Sequence, residues 1–559
     1  MSPTPLRPAT AGVSLLDLSS AAQAETGSRT RVVAPTSGGS TASPGSVAVT
    51  GATLDSRAVV PGDLYAALPG FNAHGADYAP QAVAAGAVAV LTDEAGLERA
   101  AGTGVPVLVA DDPRGVLGSL AATIYGNPAT ALTMVGITGT NGKTTTAYLV
   151  ESALRARGQR TGLIGTVETR LGDERLDSER TTPEATDLHA LLALMRERGL
   201  DACVMEVSSH ALELHRVDGV VYDVALFTNL SQDHLDFHDG MEEYFAAKAS
   251  LFTPARSRNA VICVDDAWGA RLAREATVPT VTFASSSAGG DGPDSAHSAD
   301  SADGADAAHP ADWLVEETAG GGFSVREVAG DRVLALASHL PGHFNVANTA
   351  LAGLTLLTLG LEPHEVEAAL SVAPEVPGRM EVVSPGGPDR PRCIVDFAHT
   401  PDAVEAALEA LRPTTSGRLI AVLGAGGDRD RGKRPGMGAA AARQADLVVV
   451  TDDNPRSEEP SEIRDAVIAG AREAVAAGTA RATEIIDGGS RSSAIAEAVA
   501  TAVLGAGMPG GADDRVDTVV VLGKGHEKGQ EIHGVKHPFD DREAVRSALA
   551  AATRAGVVS

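Results

Sequence analysis

The sequence predicts an α/β protein of three domains built on largely parallel sheets. Three observations lead there. The length, 559 residues, suits three or four domains of about 150 residues each. Short runs rich in Val, Ile and Leu alternate with Ala-rich stretches of helical length, the pattern of βα units. A glycine-spaced turn ending in Gly142-Lys143-Thr144 stands between one such strand and one such helix.

Residues 1–45 are rich in Ser, Thr, Ala, Pro and Gly, a composition that predicts disorder. Residues 46–127 read as a small α/β domain with strands at VAVT (47–50), AVAVLT (87–92) and VPVLVA (105–110), closed by the linker GNPAT (126–130). Residues 128–338 read as the central domain, P-loop ATPase-like with a mostly parallel sheet: LTMVGIT (132–138), CVMEV (203–207), VALFTN (224–229) and AVICV (260–264). Within it, 285–310 are low-complexity and acidic and are expected to form a disordered surface insertion. Residues 339–559 read as a Rossmann-like domain that starts at HLPGHFNVAN. Its strands are RCIVDFA (392–398), LIAVLGAG (419–426), DLVVVTD (446–452) and TVVVLGKG (518–525). In such sheets ligands bind at the C-terminal ends of the strands.

Composition narrows the function. Hydrophobic residues make up 43% and aromatics only 3%, so the cores are aliphatic. A net charge of −28 excludes general binding to nucleic acid or anionic membranes, and an anionic substrate then needs local basic loops. Cys203, Cys263 and Cys393 lie in apolar runs without metal or disulfide spacing, and read as buried reduced thiols. The N-terminus has no basic stretch followed by a long apolar one, and no window approaches 18 apolar residues. A cytoplasmic protein is expected.

Gly136-Ile137-Thr138-Gly139-Thr140-Asn141-Gly142-Lys143-Thr144-Thr145-Thr146 lies between LTMVGIT and the helix AYLVESALRA. Strand, glycine turn, Gly-Lys-Thr and helix in that order make a phosphate cradle. Backbone N–H groups and the helix N-terminus face the phosphates, the lysine reaches the β- and γ-phosphates, and a threonine hydroxyl holds Mg²⁺. The strict spacing is not met, because Ile137 stands five places before Gly142; a glycine recurs at every third position instead. A plain glycine turn with an incidental lysine is the structural alternative. Residues Gly139, Thr140, Asn141, Gly142, Lys143, Thr144 and Thr145 are the candidate nucleotide contacts. The loop does not name the reaction, since kinases, switches and ligases share it.

CVMEVSSH ends in Glu206, Ser208, Ser209 and His210, and VALFTNLSQDHLDFH in Asn229, Asp233, His234 and Asp236. At adjacent strand ends a carboxylate and an imidazole can complete a Mg²⁺ site, although Mg²⁺ favours oxygen ligands. Capping and solvated turn residues are the alternative.

Taken together, GTNGKTT, EVSSHAL, FTNLSQDHLDFH, the lysine of EYFAAKASLF, HFNVAN, VPGRME and DFAHTPDA resemble the Mur ligases in content and order, over roughly 50–545. The resemblance implies an ATP-dependent enzyme that builds the peptide of the bacterial cell-wall precursor. Within the family it points to the tripeptide-forming branch, which extends UDP-N-acetylmuramoyl-L-alanyl-D-glutamate by one diamino acid. It implies transfer of the γ-phosphate to the D-glutamate side-chain carboxylate, then attack on the acyl phosphate by the incoming amine. Such chemistry is mostly positioning and charge neutralisation. The implied catalytic set is Lys143, Glu206, His234 and Lys248, with Thr144, Glu206, His234 and Lys248 as metal ligands. Lys248 is implied to be carbamylated, which needs a neutral amine and hence a depressed pKa; without the resemblance it reads as a solvated helix lysine. Asn345, Arg379 and Asp396 are implied ATP contacts that close over the nucleotide, Arg379 adding charge to the transferring phosphoryl group.

For the nucleotide sugar, TLDSR (53–57) resembles the family's uridine loop, with Leu54 and Ser56 at the matching positions. Thr181, Thr182, Ser208 and Arg216 match positions that hold the muramoyl-dipeptide. Arg180 and Leu214 depart from a related pattern with Asn and Gln there, so no direct contact is expected from either.

DDNPR (452–456) follows a run of valines and by itself is a surface turn or a loop for a zwitterion. It resembles the form found in ligases that add meso-diaminopimelate; lysine-adding relatives carry a non-arginine version. Diaminopimelate has a second amino-carboxylate head that lysine lacks, and Arg456 can grip a carboxylate with two charge-assisted hydrogen bonds. Asp453 and Asn454, with Pro455 in the same turn, would take the ammonium group. By resemblance Arg429, Gly523 and Glu527 complete the pocket. The basic loop GGDRDRGKRP around Arg429 is by itself any anion site or a solvated turn. An arginine left without its carboxylate would penalise lysine. The rivals are a lysine-adding enzyme, a folate polyglutamylating ligase, a P-loop kinase and a nucleotide switch. Arg456 speaks against the first, TLDSR and DDNPR do not suit the second, and neither of the last two explains three α/β domains with EVSSH, the lysine at 248 and DDNPR together. The expected ligands are ATP, Mg²⁺, the UDP-muramoyl-dipeptide and diaminopimelate, on a monomer without nucleic-acid partners or membrane insertion.

Overall fold

Every Val/Ile run singled out above contains a strand in a computed structural model, and all of these strands but Ala48–Val49, which pairs with Val13–Ser14, gather into three principal sheets. The structure describes residues 7–35, 43–70, 73–178, 180–235, 237–285, 311–317, 322–372, 374–387, 390–506 and 515–556. The insertion expected at 285–310 therefore lies, Ser285 apart, outside the described residues, as does Asp236.

The first sheet has the order Thr30–Val33, Val107–Ala110, Ala89–Thr92, Asp63–Ala66, Gly51–Thr53. The last four are parallel and the first antiparallel. Disorder over 1–45 is corrected for the residues the structure describes. Leu15–Thr26 is a helix, capped by Ser14 Oγ accepting from Asp17 N, and Leu15, Leu18 and Ala22 bury in the first domain's core. Arg7 donates to Asp63 at 2.7 Å and to Tyr125 Oη at 2.9 Å. The apolar residues are few but fall at i, i+3 and i+7, so average composition concealed one buried helical face.

The central sheet has 11 strands. Seven parallel strands form its body: Thr161–Ile164, Ala202–Glu206, Thr133–Thr138, Val224–Phe227, Ala260–Cys263, Thr280–Ala284 and Trp313–Glu317. Two antiparallel strands extend each edge. Thr133–Thr138, which leads into the phosphate loop, is flanked by the strands ending at Glu206 and Phe227. That order brings three functional loops side by side. The expected start of the third unit at 339 is also corrected. Helices His343–Thr358 and Pro363–Leu370 bury Leu351, Leu354, Val366 and Leu370 in the central core with Val135 and Val150. The third sheet's own core begins with Met380.

The third sheet runs Glu381–Gly387, Arg390–Asp396, Thr518–Leu522, Leu419–Leu423, Leu447–Thr451, Glu484–Gly489, parallel except for the first strand. Its strand ends present Asp396, Gly523 and the DDNPR loop together. The three cysteines are buried and unpaired, and burial pushes the Cys203 and Cys393 thiols up to about 12. No helix among the described residues is long and apolar enough to cross a membrane.

Candidate active site

The phosphate loop fits its neighbours closely. Gly139 has φ 143°, and a Cβ there would come within 1.9 Å of Thr228 Oγ1, so no other residue suits that position. Asn141 N donates to Asn229 Oδ1 at 2.9 Å, and Thr140 Oγ1 meets Tyr244 Oη at 3.1 Å. Lys143 opens the helix Lys143–Ala156 and folds back over the loop, its Nζ donating to the carbonyls of Gly139 (2.9 Å) and Thr140 (2.8 Å). Those are the positions an incoming phosphate would compete for. Thr145 is buried behind the loop.

Thr144 Oγ1 donates to Glu206 at 3.0 Å and accepts from Arg379 Nη2 at 3.0 Å. The second contact joins the central and third domains. Glu206 also accepts from Thr166 N at 2.8 Å and Thr166 Oγ1 at 3.0 Å. A hydroxyl and a carboxylate side by side are the hard oxygen donors that Mg²⁺ takes. The pair fits a magnesium ion. Arg379 stacks over Phe397 at 4.3 Å, and burial lowers its pKa.

His234 and Lys248 form a second group, around Tyr244. Lys248 is 1% exposed; its Nζ donates to Gly139 O at 2.9 Å and lies 4.6 Å from the Tyr244 ring centroid. Burial, reinforced by the charge of Lys143, holds its pKa well below the ordinary lysine value. A solvated helix lysine is thereby ruled out. Burial likewise pushes His234 down to about 3 against the pull of Asp233, 3.6 Å away. Burial alone would raise Asp233, yet His234, His399 and Lys433 hold it below the usual carboxylate value. Of the four expected metal ligands, Thr144 and Glu206 form one hydrogen-bonded pair, and His234 and Lys248 both lie against Tyr244. Among the described residues no three His, Cys, Asp or Glu side chains gather as a metal site.

Two implied ATP contacts turn out to be engaged with protein. Asn345 is buried, donates to Pro341 O at 2.7 Å and accepts from Asn348, which in turn accepts from Thr146 at 3.3 Å. Asp396 accepts from Met380 N (2.7 Å) and Ala398 N (2.8 Å), ordering the backbone around Arg379.

Thr181, Thr182 and Ser208 come together beside Glu206, and Arg216 is held by Glu184, two residues after Thr182. Thr182 Oγ1 donates to Glu206 O at 2.9 Å and accepts from Ser208 N at 3.1 Å, while Thr181 meets Thr166 at 3.0 Å. Glu184 pairs with Arg216 at 3.0 Å, and Arg114 and Arg180 lie 3.6 and 3.7 Å from the same carboxylate. Leu54 and Ser56 stay in the first domain; Ser56 Oγ bonds Gln81 at 3.4 Å, and no hydrogen bond among the described residues joins the two groups.

In the third domain DDNPR and GKGHE form one network. Asp453 is buried 3.2 Å from Lys524, and Asn454 Nδ2 donates to Glu527 at 3.1 Å. Arg456, at φ 51°, donates from Nη1 to Gly427 O and lies 3.3 Å from Glu531 through Nε; Nη2 makes no hydrogen bond among the described residues. Pro455 is buried against Gly427, Gly523 lies over Asp453 and Arg491, and Arg429 is exposed on the adjoining loop. The sequence analysis does not single out Lys524, which stands inside the quoted GKGHE, or Tyr244, inside EYFAAKASLF, or Thr166 and Glu531, which belong to no quoted motif.

Models of three Mur ligase domains match this chain: the family's catalytic domain over residues 48–125, the middle domain over 137–356 and the glutamate ligase domain over 378–525. The UDP-N-acetylmuramoyl-L-alanyl-D-glutamate--2,6-diaminopimelate ligase of Streptomyces coelicolor is 53% identical over 90% of this chain and 93% of its own length. The chain belongs to the Mur ligase family. The Corynebacterium glutamicum protein of the same name is 45% identical over 90% of this chain and 92% of its own. A solved structure of a 2,6-diaminopimelate ligase superposes with TM-score 0.60 at 30% identity, covering 97% and 99% of the two chains. Mur ligases are ATP-dependent ligases.

Proposed function

We propose that this Mur ligase joins meso-diaminopimelate to the D-glutamate side-chain carboxylate of UDP-N-acetylmuramoyl-L-alanyl-D-glutamate at the expense of ATP. It acts as a cytoplasmic monomer in peptidoglycan precursor synthesis. The first domain holds the uridine nucleotide through Leu54 and Ser56, the central domain ATP, and the third the amino acid. One observation carries the reading: Arg379 touches Thr144 of the phosphate loop, while its neighbour Gly378 packs against Gly525 and His526 of GKGHE. Nucleotide and amino-acid loops are thus fixed to one another.

Lys143 leaves its two carbonyls to receive the β- and γ-phosphates. Thr144 and Glu206 would hold Mg²⁺, which when bound would neutralise triphosphate charge. Lys248, kept uncharged by burial, would add through Nζ to CO₂ and release a proton, and the resulting carbamate would present an anionic oxygen beside His234. A D-glutamate carboxylate oxygen attacks the γ-phosphorus, the bond to ADP breaks, and Arg379 stabilises the charge on the moving phosphoryl group. The amine nitrogen then attacks the acyl carbon and loses a proton, and the C–O bond to phosphate breaks. Arg456 grips the distal carboxylate, with Asp453, Asn454 and Glu527 facing the ammonium group.

Incubation with Mg²⁺-ATP, the UDP-muramoyl-dipeptide and either meso-diaminopimelate or L-lysine, with the product weighed, tests this. A tripeptide mass with diaminopimelate alone is expected. A lysine product instead would overturn the reading of Arg456, and no product with either would overturn the ligase.

A further inference from the structure

Lys524 is 0% exposed, and the mechanism above does not use it. Its Nζ reaches Asn454 Oδ1 at 2.8 Å, Gly529 O at 2.8 Å, Glu527 Oε2 at 3.2 Å and Asp453 Oδ1 at 3.2 Å. An ammonium has three protons to give; they go to Asn454, Gly529 and Glu527, and the buried Asp453 carboxylate is held beside them as an ion pair. Three of the four side chains or groups it reaches belong to the proposed amino-acid site.

We infer that Lys524 is the positioning residue of that site, its buried charge holding Asp453, Asn454 and Glu527 in the arrangement that receives the incoming amino acid. The inference rests on the proposed reading of the DDNPR and GKGHE loops. Asn454 Oδ1 accepts from Lys524 and from Glu531 N at 2.9 Å, so its Nδ2 is turned to Glu527. Lys524 thereby decides which end of the amide faces the carboxylate. It also separates two carboxylates that would otherwise repel: Asp453 and Glu527 with one lysine leave a single net negative charge, matched to one substrate ammonium. Glu531 carries the order on to Arg456 through its backbone N–H on Asn454 and its carboxylate on the guanidinium.

A second buried cation holds the roots of the same loops. Arg491, 0% exposed, makes two 2.7 Å bonds to Asp541 and donates to Leu522 O at 2.9 Å and Asp452 O at 3.4 Å. Arg491 fixes main chain; Lys524 fixes the side chains that meet the ligand. Removing one partner from a buried charged network costs several kcal/mol because the other charges stay buried.

Steady-state kinetics of full-length Lys524→Met test the inference. The KM for diaminopimelate should rise on the order of 100-fold, while the KM values for ATP and the UDP-muramoyl-dipeptide stay within about three-fold. Lys524→Arg keeps the charge in the wrong shape and should raise the amino-acid KM about ten-fold; it carries the test if Lys524→Met fails to fold. An unchanged amino-acid KM in a folded variant overturns the inference, and so does a uniform rise in all three KM values, the mark of a merely structural lysine. Product mass from the wild-type protein is read first. If it shows lysine to be the substrate, the diaminopimelate reading fails separately, and Lys524 is judged on the KM for lysine.

Discussion

At the scale of single residues, Lys248 decides most. A lysine 1% exposed, near a second lysine and bonded to one carbonyl, cannot keep its charge cheaply. Lys248→Ala should lower kcat on the order of 100-fold or more without restoration by bicarbonate; near-normal turnover would make the residue structural. Arg456→Ala should raise the KM for diaminopimelate on the order of 100-fold and leave ATP binding intact, and an unchanged KM would remove Arg456 from the pocket. His189 tests burial away from the chemistry. It is wholly buried against Asp218 O at 2.9 Å, and burial pushes its pKa down to about 4. The unfolded chain takes up a proton below pH 6.5 where the folded one does not, so stability falls as pH drops from 6.5 to 4, by at most about 3 kcal/mol. The Tm gap between wild type and His189→Gln should narrow over that range; a constant gap would refute the linkage. The sequence made Lys143, Thr144 and Arg456 legible because their motifs are local. Tyr244 and Glu531 act through contacts that only folding creates.

Among elements, the parallel strands written as continuous Val/Ile runs were readable because both faces are buried, while Gly51–Thr53, Asp63–Ala66, Thr161–Ile164, Thr280–Ala284, Trp313–Glu317 and Glu484–Gly489 lack such a run and were not read. The helix Leu15–Thr26 and the edge hairpins were not, since half-buried elements show no such run. The 339 boundary failed for a related reason: helices carry no mark of which sheet they cover. The short connection at Gly378 couples two elements tightly. Its φ is 66°, and a Cβ would lie 2.1 Å from His526 N. Gly378→Ala should therefore destabilise by about 1–3 kcal/mol and raise the amino-acid KM together with it. Wild-type Tm and kinetics in that variant would show that the two loops move independently.

For the whole molecule, the central and third domains meet through Arg379 on Thr144 and through Asp233, which lies 3.6 Å from Lys433 and 3.8 Å from His399. Lys433→Met should loosen this arrangement, giving a larger radius of gyration by small-angle scattering and a lower kcat. Equal scattering from both proteins would show that the pair does not hold the domains. The Arg491–Asp541 pair has a consequence in time rather than space. Asp541 opens the helix Asp541–Gly556, and a ribosome delivers that helix after every residue of the phosphate loop. A nascent chain stalled before Asp541 would display a finished nucleotide site and an unmoored acceptor pocket. Synthesis itself thus sets the order in which the molecule becomes able to recognise its substrates.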